Sequence, residues 1–217
     1  MRVIEMLDKI IEKYNNYNPY INGWTNMKRA AVAILLVDIE EETKIIFQVR
    51  ALHMRSQPGD ISLPGGKIEN NENPKETVER EVCEELGLNE EDFEIVTPLD
   101  VLVTHYGLIV HPYLGYVRNY NNIKINKDEV DHTFLASIDK LLKIKPIKDV
   151  SIISVKRNED FPYHLIKDGE SYKFKEGLYK SLFYNYENYT IWGMTALIIE
   201  NFLNHIKSDS MLNPEMN

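Results

Sequence analysis

The stretch from Gly66 to Leu88, with the sequence GKIENNENPKETVEREVCEELGL, carries the strongest structural signals in the chain. Its second half predicts a helix over 74–86. Asn73 is a preferred N-cap residue, a proline stands at the first helical position, and Glu76 completes a capping box. Gly87 is placed to end this helix in a left-handed turn.

This helix carries two neighbouring faces of different character. One is apolar, with side chains four residues apart that are expected to pack on a sheet: Val78, Val82 and Leu86. The other carries three carboxylates at positions i, i+3 and i+4: Glu81, Glu84 and Glu85. Three like charges on one turn repel each other, and oxygen-only ligands at this spacing suit Mg²⁺ or Mn²⁺ rather than zinc. The plain alternative is a solvated acidic face.

Two features around the helix favour a binding site over a solvated charge run. The adjacent Gly65 and Gly66 give the backbone freedom to come close to a phosphate. Arg80 provides a fixed cation beside the carboxylates, able to pair with Glu72 or Glu84 and hold them in place. The stretch therefore predicts a phosphate-binding loop followed by a metal-binding helix.

Strands and helices interleave along the rest of the chain without internal repeats. Strands are predicted at 30–37, 45–49, 94–97, 101–104, 108–117 and 151–155, and helices near the N-terminus, at 137–142 and at 193–206. One α/β domain over 23–208 is the economical interpretation. An amphipathic helix and a turn-rich segment over 1–22 precede it, and a tail over 209–217 follows.

Composition excludes several classes of protein. With 217 residues, 43% hydrophobic and 27% charged, the chain is globular. Its apolar runs are far shorter than the roughly 20 residues of a membrane-spanning helix. A net charge of −9 argues against nucleic-acid binding but allows a small polyanionic substrate where local cations offset the repulsion. The first residues lack the apolar block of a signal peptide, so a cytoplasmic protein is expected.

The single cysteine excludes an internal disulfide and a thiolate metal cluster. Cys83 lies within a run of glutamates that disfavours its thiolate, which argues against a nucleophilic role.

From Gly66 to Leu88 the chain resembles the complete Nudix box, Gly-x5-Glu-x7-Arg-Glu-U-x-Glu-Glu-x-Gly-U, with U aliphatic. All seven fixed positions and both aliphatic ones match. The resemblance implies an α/β/α sandwich around a mixed β-sheet and metal-dependent cleavage of a nucleoside diphosphate linked to another moiety. It implies metal ligands at Glu81, Glu84 and Glu85, and structural support from Gly66, Glu72, Arg80 and Gly87. Such ions offset pyrophosphate charge and activate water for in-line attack. Which carboxylate acts as base stays open.

A second motif precedes the box and narrows the substrate. Arg50-Ala51, Arg55, Gly59 and Leu63-Pro64-Gly65-Gly66 resemble the pattern Arg-(Ser/Ala)-x3-Arg-x3-Gly-x3-Phe-Pro-Gly-Gly of coenzyme A pyrophosphatases. Those Nudix enzymes split coenzyme A into 3′,5′-ADP and 4′-phosphopantetheine. The chain departs from this subfamily at Leu63, where Phe is expected, at Gln48, where Thr is usual, and at Ile46-Phe47, where two leucines are expected.

Coenzyme A carries a 3′-phosphate besides its pyrophosphate, so it needs additional cations. Arg50 and Arg55 are candidates because arginine suits forked phosphate contacts. Gly65 and Gly66 would contribute backbone groups. Lys67 either touches phosphate or is solvated.

Other candidates have plain alternatives. Glu129 is a candidate for an extra acid from a later loop and competes with Asp128 and Asp131, although a solvated turn explains all three. His105 and His111 are possible acid–base groups or structural residues. The aromatic residues between Phe183 and Trp192 line a pocket or pack in the core.

Three functional hypotheses follow. The first is a coenzyme A pyrophosphatase acting on a small molecule. The second is a Nudix enzyme acting on another nucleoside diphosphate derivative, such as NADH, ADP-ribose or a dinucleoside polyphosphate. The third is a nucleotide-sensing module that has lost catalysis, and the intact set of box glutamates argues against it. The sequence does not indicate the oligomeric state.

Overall fold

The structure, a computed structural model, describes residues 2–69 and 72–212. Its helices are α1 (Arg2–Tyr14), α2 (Pro74–Leu86), α3 (Ile138–Lys143) and α4 (Gly193–Leu212). Its strands are β1 (Lys28–Ile39), β2 (Glu42–Arg50), β3 (Ile61–Ser62), β4 (Gly65–Lys67), β5 (Phe93–Pro98), β6 (Leu102–Val103), β7 (Leu108–Val117), β8 (Val130–Ser137), β9 (Ile147–Ile153), β10 (Gly177–Tyr186) and β11 (Tyr189–Trp192). Single-turn 3₁₀ helices lie at Trp24–Asn26, Glu90–Asp92, Tyr120–Asn122, Tyr163–Leu165 and Gly169–Ser171.

The central sheet is mixed. In the described part of the chain its main path runs β3-β2-β1-β7-β5, with β4 beside β1, β6 beside β7 and β8 beside β2. β1 and β7 run parallel, and the other pairs are antiparallel. A smaller antiparallel sheet has the order β11-β10-β9. The aliphatic run of β1 lies at the centre because both of its faces are covered.

Two apolar cores lie on opposite faces of the central sheet. The side chains of β1 alternate between them: Ala33 and Leu35 pack in the core beneath α2, and Ile34 packs in the core that contains residues of α3, α4 and the smaller sheet. Helices therefore cover both faces. This α/β/α arrangement around a mixed sheet confirms the predicted fold class.

Most predicted elements are present with small shifts. Helix α2 and strand β7 have the predicted bounds, and the strands predicted at 30–37, 45–49, 94–97 and 101–104 overlap β1, β2, β5 and β6. The strand predicted at 151–155 overlaps β9 over 151–153 and is shifted towards the C-terminus, because β9 begins at Ile147 and ends at Ile153. The sequence patterns do not predict β3, β4, β8, β10 or β11.

The division of the chain at residues 22/23 and 208/209 stays a prediction. Helix α1 lies within the first segment, and α4 continues past residue 208 to Leu212. Residues 213–217 of the predicted tail lie outside the described residues. Of the helices the structure describes, none has the length and apolar content needed to cross a membrane.

Candidate metal centre

Helix α2 carries the acidic face of the site, and its ends are fixed as the sequence predicts. Asn73 Oδ1 accepts hydrogen bonds from the backbone N–H groups of Lys75 at 2.9 Å and Glu76 at 3.0 Å. The Glu76 carboxylate accepts one in return from Asn73 N–H at 2.9 Å, which completes the capping box. Gly87 has φ of 62° and ends the helix in the left-handed region.

The glycine turn before α2 brings backbone and carboxylate into close approach. Strand β4 pairs with β1 so that Gly66 lies opposite Ala31. A Cβ on Gly66 would collide with the Glu81 carboxylate, and one on Gly65 would collide with the Ala31 carbonyl. Gly65 also has φ of 144°, which side chains rarely adopt. Gly65 is therefore required by the close approach of the β1 backbone, and a side chain at Gly66 would displace the Glu81 carboxylate.

Arg80 joins three carboxylates at the base of the site. Its Nε donates to Glu72 Oε1 at 2.7 Å, and its Nη1 lies 2.9 Å from carboxylate oxygens of both Glu81 and Glu84. Thr77 Oγ1 donates to the other oxygen of Glu72 at 2.9 Å. The hydrogen bond from Arg80 is the main reason that the pKa of Glu72 falls to about 2.

Three carboxylates converge on one point beside this network. Oxygens of Glu81, Glu85 and Glu129 all lie within 4.8 Å of one another. Glu129 reaches the helix because the turn before β8 is anchored to it, with Asn126 N–H donating to the Glu85 carbonyl at 2.9 Å. Glu84 lies outside this group. Its side chain is 53% exposed and pairs with Arg80.

Burial sets the electrostatics of the converging carboxylates. Glu85 is only 3% exposed, and this desolvation raises its pKa to about 7. Hydrogen bonds from Gly65 N–H at 2.9 Å and from the Gln48 side chain offset part of the cost, while Glu81 and Glu129 add repulsion. Burial also raises the pKa of Glu81, against the opposing effect of Arg80.

The donor set fits a divalent cation. Carboxylates that repel each other in a buried position are stabilised by a cation placed between them, and hard oxygen ligands are those that Mg²⁺ and Mn²⁺ prefer. Burial is the main cause of the raised pKa of both Glu81 and Glu85, and repulsion from neighbouring carboxylates adds to it. The residues present therefore match the cation that the sequence predicts.

A cavity of about 510 Å³ opens next to the glycine turn. Four cationic residues and one acidic residue are among those that line it: Lys28, Arg29, Arg50, Lys67 and Asp60. Large apolar and aromatic residues also line it: Tyr106, Tyr179, Trp192 and Met194. An excess of cations in a chain of net charge −9 marks this cavity as a place for an anionic ligand with an apolar part.

The predicted phosphate-binding residues divide between this cavity and the surface. Arg50, Gly65, Gly66 and Lys67 line the cavity. Arg55 lies exposed on the loop between β2 and β3, outside the lining of the cavity.

The competing candidates have structural partners or solvent around them. Asp128 is exposed. Asp131 pairs with His132 at 2.7 Å.

His111 Nε2 lies 3.1 Å from the Tyr20 hydroxyl, and burial lowers the pKa of this imidazole. His105 packs edge-on against Tyr179, with ring centres 4.6 Å apart. His105 does not line the cavity, but its two aromatic neighbours Tyr106 and Tyr179 do.

The aromatic segment near the C-terminus mostly packs in the core. Tyr184 and Tyr186 are buried, and Tyr189 stacks on Phe134 with ring centres 3.7 Å apart. Trp192 differs from these residues because it lines the cavity. The thiol of Cys83 has a pKa raised mainly by burial, consistent with the argument against a nucleophile.

Sequence reasoning gives no role to three residues near the site. Gln48 bonds to Glu85, Ser62 lies opposite Gln48, and Arg29 lines the cavity. In sequence, Gln48 stands out as a polar residue inside an apolar strand and as a departure from the coenzyme A pyrophosphatase pattern, but neither signal predicts its bond to Glu85. Ser62 and Arg29 have no comparable local signal.

Comparison with known proteins identifies the family. The family model described as the NUDIX domain matches residues 27–156, more than half of the chain, and the chain belongs to the Nudix family. Nudix hydrolases act on small nucleotide derivatives and generally use divalent ions such as Mg²⁺ or Mn²⁺.

Three curated relatives illustrate the range of similarity. Nudix hydrolase 3 of Caenorhabditis elegans is 27% identical over 86% of this chain and 74% of its own length. The mitochondrial Nudix hydrolase 15 of Arabidopsis thaliana is 30% identical over 79% of this chain and 56% of its own. The peroxisomal coenzyme A diphosphatase ndx-8 of C. elegans is 30% identical over 52% of this chain and 50% of its own. The chain thus spans about half the length of the last two relatives.

Proposed function

We propose that this chain hydrolyses the diphosphate of coenzyme A or of one of its derivatives, giving 3′,5′-ADP and 4′-phosphopantetheine with Mg²⁺ or Mn²⁺. The observation that carries the proposal is the junction of two features at the glycine turn. Three converging carboxylates lie next to this turn, with Gly65 N–H bonded to Glu85, and the same two glycines line a cavity with cationic and apolar walls. The residues 23–208 form the catalytic domain in this proposal.

The acidic residues near the diphosphate would bind the divalent cation. Glu81, Glu85 and Glu129 would hold the divalent cation, and Arg80 keeps Glu81 oriented towards it. Glu84 keeps its predicted place as a ligand, which requires its carboxylate to exchange Arg80 for the cation. The chemistry that such a cation supplies is neutralisation of the diphosphate and activation of water for attack on phosphorus.

The cavity matches the two chemical halves of coenzyme A. Its cationic residues, with Arg50 beside the glycine turn, suit the diphosphate and the 3′-phosphate. Its aromatic residues suit either adenine stacking or the apolar pantetheine arm. Arg55 is exposed and would have to move with its loop to reach a phosphate. The relative named a coenzyme A diphosphatase and the Arg50–Gly66 motif both support this substrate.

A substrate panel tests the proposal. Coenzyme A, NADH, ADP-ribose and a dinucleoside polyphosphate are each incubated with the protein in Mg²⁺ and in Mn²⁺, and products are assigned by mass. We expect coenzyme A to have the highest kcat/KM and to give only the two products above. Faster turnover of ADP-ribose or NADH would assign the chain to the alternative substrate class, a Nudix hydrolase of another nucleoside diphosphate derivative.

A further inference from the structure

Three buried polar atoms of β2 and β3 have no hydrogen-bond partner among the described residues: Gln48 Oε1, Arg50 Nε and Ser62 Oγ. Arg29 Nε is a fourth such atom in the described part of the chain, and it lies on β1. Buried polar groups are nearly always paired, because leaving one unpaired costs free energy. A cluster of unpaired atoms therefore points to a ligand or water that completes it.

The register of the strands puts the three side chains on one face. Gln48 and Arg50 are two residues apart in β2, and Ser62 is the direct cross-strand partner of Gln48. Side chains at such positions share a face of the sheet. Because the Gln48 side chain bonds to Glu85, this is the face that carries the converging carboxylates.

The chemistry of the unpaired atoms indicates what fits between them. Ser62 Oγ–H and Arg50 Nε–H are donors, and Arg50 is cationic, so together they require an anionic acceptor. Gln48 Oε1 is an acceptor and requires a donor such as water. Ser62 and Arg50 both line the cavity that reaches Gly65 and Gly66.

We propose that Ser62 and Arg50 form a phosphoryl-binding subsite, in which the Ser62 hydroxyl and the Arg50 guanidinium donate to the same phosphoryl group of the substrate. Gln48 Oε1 accepts from a water molecule that accompanies this group. The inference rests on the proposed function only in that the substrate contains a diphosphate. It assigns to Ser62 a role in substrate binding that the box glutamates do not have.

The first test separates substrate binding from metal binding. Ser62→Ala is expected to raise the KM for coenzyme A about tenfold and to leave kcat within about twofold, because it removes one hydrogen bond to a charged group. Mn²⁺ affinity, measured by electron paramagnetic resonance without substrate, should stay unchanged. Ser56→Ala, on the exposed loop before β3, is the matched control and should leave both values unchanged. Ser62→Thr, which keeps a hydroxyl, should restore most of the KM.

The second test does not depend on turnover. Binding of methylenediphosphonate, a non-hydrolysable diphosphate analogue, is measured by calorimetry with Mg²⁺ present for the wild type, Ser62→Ala and Ser56→Ala. We expect Ser62→Ala alone to weaken binding about tenfold. If Ser62→Ala weakens binding of the analogue but the wild type does not hydrolyse coenzyme A, the subsite stands and the substrate assignment fails. Equal affinity and equal KM for wild type and Ser62→Ala would overturn the subsite, whichever nucleotide is the substrate.

Discussion

Two glutamates at opposite ends of the Nudix box, Glu72 and Glu85, have the same chemistry and opposite electrostatics. Glu72 accepts two charge-assisted hydrogen bonds from Arg80, and its pKa falls to about 2. Glu85 is buried beside Glu81 and Glu129, and its pKa rises to about 7. The Glu72 carboxylate is paired with Arg80, whereas the buried Glu85 carboxylate has hydrogen bonds from Gly65 and Gln48 but no ion pair among the described residues, so a divalent cation would stabilise its charged form. This contrast indicates that Glu72 and Arg80 hold the site in shape, whereas Glu85 belongs to the group of carboxylates that would bind the cation.

The largest effect is expected on catalysis when Glu85 is replaced. Glu85→Gln keeps the shape of the side chain but removes its negative charge, so kcat/KM should fall at least a hundredfold, on the order of transition-state stabilisation by a single catalytic group. Glu79→Gln is the matched control, because Glu79 lies on the same helix and, among the described residues, forms its ion pair with Lys75 at 3.6 Å, away from the converging carboxylates. Steady-state hydrolysis under saturating Mg²⁺ measures both variants. A Glu85→Gln enzyme as active as the control would show that the Glu85 carboxylate takes no part in the reaction.

A smaller effect is expected on the free energy of unfolding, because the ionisation of Glu85 makes the stabilisation by a metal ion depend on pH. Without metal, the raised pKa of Glu85 means that its contribution to stability is fully present below pH 4.5 and is lost as pH rises through about 7. A divalent cation stabilises the ionised form instead. Mn²⁺ should therefore raise the free energy of unfolding more at pH 8 than at pH 5.5, by roughly 2–3 kcal/mol.

Urea unfolding at the two pH values, with Mn²⁺ or with EDTA, measures this difference. In EDTA, Glu85→Gln should be more stable than the wild type at pH 8 and similar to it at pH 5. A stabilisation by Mn²⁺ of equal size at both pH values in the wild type would contradict the assignment of the cation to the buried carboxylates.

At Arg80, in the middle of helix α2, we expect a tenfold effect. Arg80→Lys keeps the charge but loses the forked contact that joins Glu72, Glu81 and Glu84. The kcat/KM should fall about tenfold, because Glu81 is then held less firmly, and the affinity for Mn²⁺ should weaken by a similar factor. Kinetic assays and Mn²⁺ titration give the two values. A loss of activity with unchanged Mn²⁺ affinity would mean that Arg80 acts on the substrate rather than through Glu81.

The same contrast explains how much of the molecule the sequence predicts. Helix α2 was predictable to its ends because Asn73, Glu76 and Gly87 are local signals within one short stretch. Strand β8 was not, because it is covered on both faces: Phe134 packs in one core and Leu135 against the other, so no alternating pattern marks it. The aromatic run of β10 and β11 is equally ambiguous between a pocket and packing.

The site follows the same division. The spacing of Glu81, Glu84 and Glu85 is visible in sequence, but the grouping of Glu129 with two of them depends on a turn pinned to the end of α2 by a backbone hydrogen bond. The cavity is assembled from β1, β2, β3, β4 and the β11–α4 junction, which are far apart in the chain. The position of Ser62 near the site therefore becomes visible only in the structure, where Ser62 pairs with Gln48 across two strands.

The smallest effect belongs to Glu72. Its folded pKa of about 2 lies below the ordinary value of 4.5, so its contribution to stability is present above pH 4.5 and is lost as pH falls towards 2. Glu72→Gln should flatten this acid limb of the unfolding profile, while Glu76→Gln, at the nearby cap, should lower stability without removing the limb. Thermal unfolding in EDTA between pH 2.5 and 6 records the profiles.

Because Glu72 is stabilised by Arg80 and not by the cation, Mn²⁺ should leave the difference in stability between wild type and Glu72→Gln unchanged at pH 6. A difference that grows with Mn²⁺ would place Glu72 among the metal ligands and erase the contrast with Glu85.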